Sequence, residues 1–255
     1  MQSRTRRPQF FYTTTPLPCP YLPGRVERKI VTELTGTDSE ALHDRLSRAG
    51  FRRSHNIAYA PVCQGCRACI PIRVVVDEFQ PSRTQRKVLA RNADLAVRPM
   101  AARATAEQFS LFQHYQGSLH GGGDMAAMGF YDYRAMVEDT PITTGVVEFR
   151  DASDALLGAC LTDWLSDGLS AVYSFFAPEA ARRSLGTWAI LWLAARARAL
   201  GLPYVYLGYW VPESRKMSYK SRFRPSEVLV GGVWRVLEEQ GAPEPEAVRE
   251  RETAG

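Results

Sequence analysis

The stretch GVVEFRDASDALLGACLTDWLSDGLSAVYSFFAPEAARRSLGTWAILWLAARARALGLPYVYL, residues 145–207, decides the fold. Gly145–Arg150 and Leu156–Leu165 are β-prone runs separated by the polar turn Asp151, Ala152, Ser153, Asp154, which predicts a hairpin. A third strand, Leu169–Phe176, follows the Asp167-Gly168 turn. Leu185–Leu200 then reads as a long helix closed by Gly201, with Trp188 and Trp192 one turn apart on the face that packs against the sheet. Pro203–Leu207 returns as a strand.

On the C-terminal side, Gly231–Leu237 supplies a last strand. On the N-terminal side, Thr105 and Gln108 form a capping box, and Phe109, Phe112, Gln116 and Leu119 continue a helix that stops at Gly121–Gly123. A helix, three antiparallel strands, a strand-helix-strand unit and a terminal strand make an α+β domain. By analogy the order is acetyltransferase-like (GNAT-like), an architecture in which two neighbouring strands splay and substrate enters the gap. Further upstream, Thr37 and Glu40 suggest a second capping box, for an amphipathic helix from Asp38 to Ala49 stopped by Gly50. FRRSHNIAYAPVCQGCRACIPIRVVVDEF (51–79) sets cysteines in a turn between β-prone pieces, and a basic helix covers Arg83–Asn92 before Pro99. The expected organisation is a smaller Cys-bearing α/β domain (1–98), a catalytic domain (99–237) and a disordered tail (238–255).

The chain has 255 residues, enough for a sizeable core, and a net charge of +5. Six Glu and two Arg lie from Glu238 onward, so the rest carries 30 basic against 21 acidic residues, a net of +9. That charge gathers at Arg83–Arg91, Arg182–Arg183 and Arg215–Arg224, where an anionic partner would be met. The longest apolar run, Thr187–Ala195, is too short to span a bilayer, and MQSRTRRPQFFYTTTPLPCP lacks the apolar core of a secretory signal. A cytoplasmic protein with no membrane partner is expected.

Arg182, Arg183, Ser184, Leu185, Gly186 and Thr187 hold the parts of a phosphate cradle, two guanidinium groups and a glycine at a helix start; solvated arginines beside a helix cap are the other reading. In acetyltransferases the comparable loop ends in a second small residue, whereas Trp188 stands there, which speaks against coenzyme A. In the segment Tyr206–Pro225, rings and cations alternate: they can stack on bases and meet phosphates, or form a solvated loop with its aromatics tucked inward. Cys19, Cys63, Cys66 and Cys69 could give four thiolates to zinc or an iron–sulfur cluster, or be packed thiols, while Cys160 reads as core. His55 and His120 have no visible partner and read as structural; Asp124 reads as a helix cap.

PCPYLPGR (18–25), FRRSHNIAYAPVCQGCRACIPIRV (51–74), VYSFFAP (172–178), RRSLGTW (182–188) and YLGYWVPESRKMSYKSRFRP (206–225) resemble the arginyl-tRNA-protein transferase family, in its bacterial aspartate/glutamate leucyltransferase branch. The resemblance runs from about Pro8 to Leu237. It implies transfer of leucine from leucyl-tRNA to proteins beginning with Asp or Glu, which sends them into the N-degron degradation route. Two positions depart from the family pattern: Ala177 stands where an acidic residue is common, and Leu22 where eukaryotic relatives complete a Cys-x-x-Cys with the equivalent of Cys19.

The implied chemistry is attack by a free α-amine on an activated ester, which needs neither ATP nor metal. An α-amine has a pKa of roughly 8, so only mild base assistance is required, and backbone amides on a splayed strand can meet the oxyanion. No side chain is singled out as catalytic. Arg215, Lys216 and Lys220 are candidates for the acceptor carboxylate, with Arg52 and Arg53 as second choice. Arg182, Arg183, Gly186, Tyr209 and Trp210 are candidates for tRNA or its terminal aminoacyl-adenosine. Arginyl transfer, a coenzyme A-dependent acetyltransferase and a non-catalytic metal-stabilised RNA-binding protein are the competing readings.

Overall fold

A computed structural model describes residues 8–119 and 123–238. In chain order the elements are β1 (Tyr12–Thr13), β2 (Leu17–Pro18), β3 (Val26–Glu27), β4 (Lys29–Glu33), α1 (Ser39–Arg48), β5 (Arg52–Ser54), β6 (Ile57–Pro61) and β7 (Ile70–Val75). There follow α2 (Arg83–Arg91), β8 (Ala96–Ala101), α3 (Ala106–Leu119), α4 (Phe130–Glu138), β9 (Thr144–Arg150), β10 (Leu156–Leu165) and β11 (Gly168–Phe176). The chain closes with α5 (Leu185–Ala199), β12 (Tyr204–Trp210), β13 (Ser226–Val230) and β14 (Val233–Val236). Short 3-10 turns cover Asp124–Ala127, Pro178–Arg183 and Ser218–Arg222.

Among the described residues, eight strands form one mixed sheet in the order β14-β13-β7-β12-β11-β10-β9-β8, in which only β11 and β12 run parallel. Successive residues of a strand face opposite sides, so each strand feeds two cores. Val147, Phe149, Cys160, Leu169 and Val205 pack with Trp188, Leu191 and Leu193 of α5. Val146, Ala159, Leu161 and Phe175 pack with Phe112 of α3 and with Tyr133 and Met136 of α4. Cys160 is buried, as its place in an apolar strand predicts.

A smaller sheet, β1-β4-β6-β5, carries α1 on a minor core of Leu34, Leu46 and Ala58. The large sheet does not break at the junction expected near Pro99. That residue lies inside β8, and β7, from the Cys-bearing segment, is a central strand between β12 and β13. The reason is chemical: Ile72, Val74 and the neighbouring Val76 share one face and are each at most 1% exposed, in the core that α5 covers on the large sheet.

Other local expectations fare unequally. The Thr105–Gln108 box forms, with Gln108 N donating to Thr105 Oγ1 (3.1 Å) and Thr105 N to Gln108 Oε1 (3.2 Å). The Thr37–Glu40 box does not: Asp38 is the N-cap of α1, without a side-chain cap bond, and Glu40 accepts instead from Thr143 Oγ1 at 2.6 Å. The last expected strand, Gly231–Leu237, forms as β14, without the two glycines, which turn it at positive φ onto an unexpected partner, β13. His120 and the tail beyond Glu238 lie outside the described residues.

Candidate active site

β11 and β12 pair only between Gly168–Ser170 and Tyr204–Tyr206. Beyond that point β11 continues to Phe176 along β10, and β12 to Trp210 along β7, so the two strands diverge. The fork that opens at this parallel pair leaves backbone groups on both strands without a ladder partner.

Arg52 of β5 bridges the fork. Its Nη1 donates to Leu207 O on β12 (3.2 Å), and its Nη2 to Ala171 O (3.2 Å) and Val172 O (2.7 Å) on β11. Gly208 makes room for it: φ is +75°, and a Cβ there would overlap the guanidinium. A glycine within a strand pattern often marks such a close approach, and Gly208 is the sequence signal for this joint. The carbonyl two residues further along β12, Tyr209 O, accepts from Lys220 Nζ at 2.8 Å. Two basic side chains from distant parts of the chain, Arg52 and Lys220, thus take up carbonyls at the end of β12 and the edge of β11.

The three cations proposed for the acceptor carboxylate therefore separate. Arg215 and Lys216 are exposed, in the loop after β12. Lys220 is only 6% exposed, and burial first, then the neighbouring Arg52, hold its ammonium well below the ordinary lysine range. Of the second choices, Arg52 is taken up by the fork and Arg53 by Asp163 of β10, in two hydrogen bonds of 2.8 and 2.7 Å.

The nucleotide candidates also divide. Tyr209 and Trp210 are 3% and 5% exposed, so neither presents a ring for stacking on a base. The Tyr209 hydroxyl reaches Gly50 O and Tyr59 O (3.0 and 3.1 Å), and Trp210 belongs to the main core. Both follow from β12 running three residues further than its expected end at Leu207. Gly186 lies near the start of α5 against Phe176, whose Cε1 would be 3.2 Å from an added Cβ, so packing alone accounts for a small residue there. Trp188 points into the core, edge-on to Phe149 at 4.9 Å, and does not fill the loop before α5; it therefore does not speak against coenzyme A.

Arg182 is exposed, whereas Arg183 is engaged by Asp94 through bonds of 2.8 and 2.9 Å, a partner that raises its pKa further. The helix α2 joins these arginines to the rest of the basic surface. Its Gln85 Nε2 donates to Arg222 O (3.0 Å) at one end; at the other, Arg91 donates to Arg182 O and Asn92 Nδ2 to Arg183 O (2.8 Å). Arg83, Arg86, Lys87 and Arg91 are all exposed along it. The separate basic clusters of the sequence are one ridge.

Cys19, Cys63, Cys66 and Cys69 line one pocket with Tyr21 and Tyr59. Burial, then the three other thiols, pushes Cys69 up to about 12. The structure gathers these residues without assembling a ligand shell: among the described residues no group of three or more Cys, His, Asp or Glu is placed to hold a metal ion. His55 sits at positive φ in the β5–β6 turn, its Nδ1 3.0 Å from Ser54 Oγ and its carbonyl accepting from Arg53, which suits the structural reading. Asp124 is not the cap expected of it: it is the first residue of a 3-10 turn whose N-cap is Gly123. No helix among the described residues is long and apolar enough to cross a membrane.

The family models for the N terminus and the C terminus of arginine-tRNA-protein transferase match residues 17–87 and 107–230. Aspartate/glutamate leucyltransferase from Granulibacter bethesdensis is 64% identical over 94% of this chain and 90% of its own. The protein of the same name from Paramagnetospirillum magneticum is 61% identical over 90% of this chain and 94% of its own; that from Rhodospirillum rubrum is 54% identical over 95% and 99%. The solved structure of L-PGS from Bacillus licheniformis aligns with a TM-score of 0.45 at 12% identity over 67% of this chain and 59% of that one, too distant to assign the fold. The matches to both halves of the family and to relatives of full length agree, and the chain belongs to the arginine-tRNA-protein transferase family, in its bacterial leucyltransferase branch.

Proposed function

We propose that this protein is an aminoacyltransferase that moves leucine from leucyl-tRNA to the free α-amine of proteins beginning with Asp or Glu. The observation that carries the reading is 64% identity over 94% of the chain to a protein named for that activity. In the reaction the α-amine attacks the ester carbonyl, an amide bond forms, the ester C–O bond breaks, and the ribose hydroxyl leaves with the proton the amine has lost. The protein acts in the cytoplasm, where charged tRNA is found.

The fork between β11 and β12 supports the acetyltransferase-like reading of the larger sheet, and its backbone is where amide donors would meet the developing oxyanion. Arg52 lying across that gap weakens the coenzyme A alternative, because the carbonyls there already have their donor. The ridge from Arg222 along α2 to Arg182 suits the phosphates of an acceptor stem. Arg215 and Lys216 remain the candidates for the acidic side chain of the acceptor.

The test supplies leucyl-tRNA and arginyl-tRNA separately with peptides beginning Asp, Glu, Lys and Ala, and reads product masses. A leucine adduct on the acidic peptides alone is expected. An arginine adduct would move the protein to arginyl transfer, and tRNA binding without any adduct would make it a binding protein. Arg215→Ala and Lys216→Ala should lose transfer to the acidic peptides while remaining folded.

A further inference from the structure

Lys220 sits where a lysine is chemically out of place unless its amine is neutral. The 3-10 turn Ser218–Arg222 buries it against the end of β12, where its Nζ donates to Tyr209 O at 2.8 Å. The charged and titratable groups that act on it are Arg52 from β5 and Cys69 from the turn before β7, and neither is a carboxylate. An ammonium has three protons to satisfy, and here it would do so beside another cation and away from water. A neutral amine keeps the bond to Tyr209 O and retains a lone pair. Its acceptor, Tyr209 O, lies two residues along β12 from the Leu207 carbonyl that Arg52 takes at the fork.

Resting on the leucyl-transfer reading, we propose that Lys220 is a catalytic residue, the base that takes one proton from the neutral acceptor α-amine as its nitrogen attacks the ester carbonyl, and returns it to the ribose oxygen as the ester bond breaks. The balance closes within the two substrates: the N–C bond forms, the C–O bond breaks, and one proton passes from nitrogen through Lys220 to oxygen. Neither metal nor redox partner is needed. Burial and then Arg52 lower the Lys220 pKa, the direction a base requires. The same burial disqualifies it as a fixed cation for the acceptor carboxylate.

The experiment uses the full chain, leucyl-tRNA and an Asp-starting peptide under single-turnover conditions from pH 6 to 9. Lys220→Gln retains a donor for Tyr209 O but no base. It should fold, bind leucyl-tRNA as the wild type does, and transfer about 100-fold or more slowly at saturation. With two acceptor peptides whose α-amine pKa values differ, the wild-type ionisation that does not move with the acceptor amine should vanish in it. Lys220→Ala should be rescued by added ethylamine in proportion to the free-base concentration. A folded Lys220→Gln within threefold of the wild-type rate, that acceptor-independent ionisation unchanged in the variant, or rescue that ignores amine basicity would overturn the assignment. Should Lys220→Ala fail to fold, Lys220→Gln decides alone; should both fail, a wild-type saturated rate whose acid limb follows the acceptor amine alone overturns it and one with a second, acceptor-independent ionisation supports it. A wild-type protein that transfers no amino acid would instead overturn the leucyl-transfer reading, and this inference with it.

Discussion

Arg53 and Asp163 form a bidentate ion pair with both side chains at 1% exposure, and it locks the smaller sheet onto the third strand from the edge of the large one. Thr144 Oγ1 donates to the same carboxylate at 2.8 Å, and His43 Nε2 lies 3.8 Å from it. Asp163→Ala should cost about 3–5 kcal/mol, because it leaves a buried guanidinium without a counter-charge. Urea denaturation followed by circular dichroism reads the loss; a midpoint equal to the wild type would show that the pair does not tie the two sheets.

His43 gives a pH dependence of defined sign. Burial, opposed by Asp163, lowers its pKa from the ordinary 6.5. Below about pH 6.5 the unfolded chain takes up a proton that folded His43 refuses, so stability falls as pH drops towards the folded value; above it, both states are neutral. Urea midpoints at pH 8, 7, 6 and 5 should show a downward slope on the acid side that is shallower in His43→Gln.

Gly208→Ala places a methyl group on the Arg52 guanidinium and forces a non-glycine residue to φ +75°. The strain alone is worth about 1–3 kcal/mol. Because the displaced group also bridges the fork, transfer should fall more than stability does, which a rate measured well below the melting temperature separates. An active, stable variant would show that Arg52 can leave the fork without consequence.

The α2 ridge should govern salt dependence. Arg86→Ala and Lys87→Ala on its exposed side should raise KM for leucyl-tRNA with little change in the saturated rate. Each phosphate that a variant no longer neutralises should flatten the log–log salt slope by about 0.7–0.9. Titrations between 50 and 200 mM salt test this, and unchanged slopes would move the tRNA to another face.

Much of this architecture is legible in local sequence. The β9–β10 hairpin announces itself through Asp151–Asp154, α5 through its apolar run and Gly201, and α3 through the Thr105–Gln108 box. What stays hidden depends on non-local pairing. IPIRVV reads equally as a strand of a small sheet or of a large one, and only its partners, Tyr204–Trp210 and Ser226–Val228, decide. Lys220 is hidden for another reason. Lysine is almost always solvated, so one in a run with Arg215, Lys216 and Arg222 reads as a solvated charge. Its flanking rings, Tyr219 and Phe223, which lie 6.5 Å apart, are the only hint of an inward turn.

The central place of β7 also bears on how the protein is made. Ile72 pairs with Gly208 on one side and Val228 on the other, residues synthesised 136 and 156 positions later. At roughly 5–20 residues per second, the nascent chain carries this apolar strand unpartnered for about 7–30 seconds. The large sheet cannot close until the β13–β14 hairpin has left the ribosome. Synthesis interrupted before Ser226 therefore yields an aggregation-prone chain, not a working half, and the few residues of β13 act as the last fastener of the whole catalytic sheet.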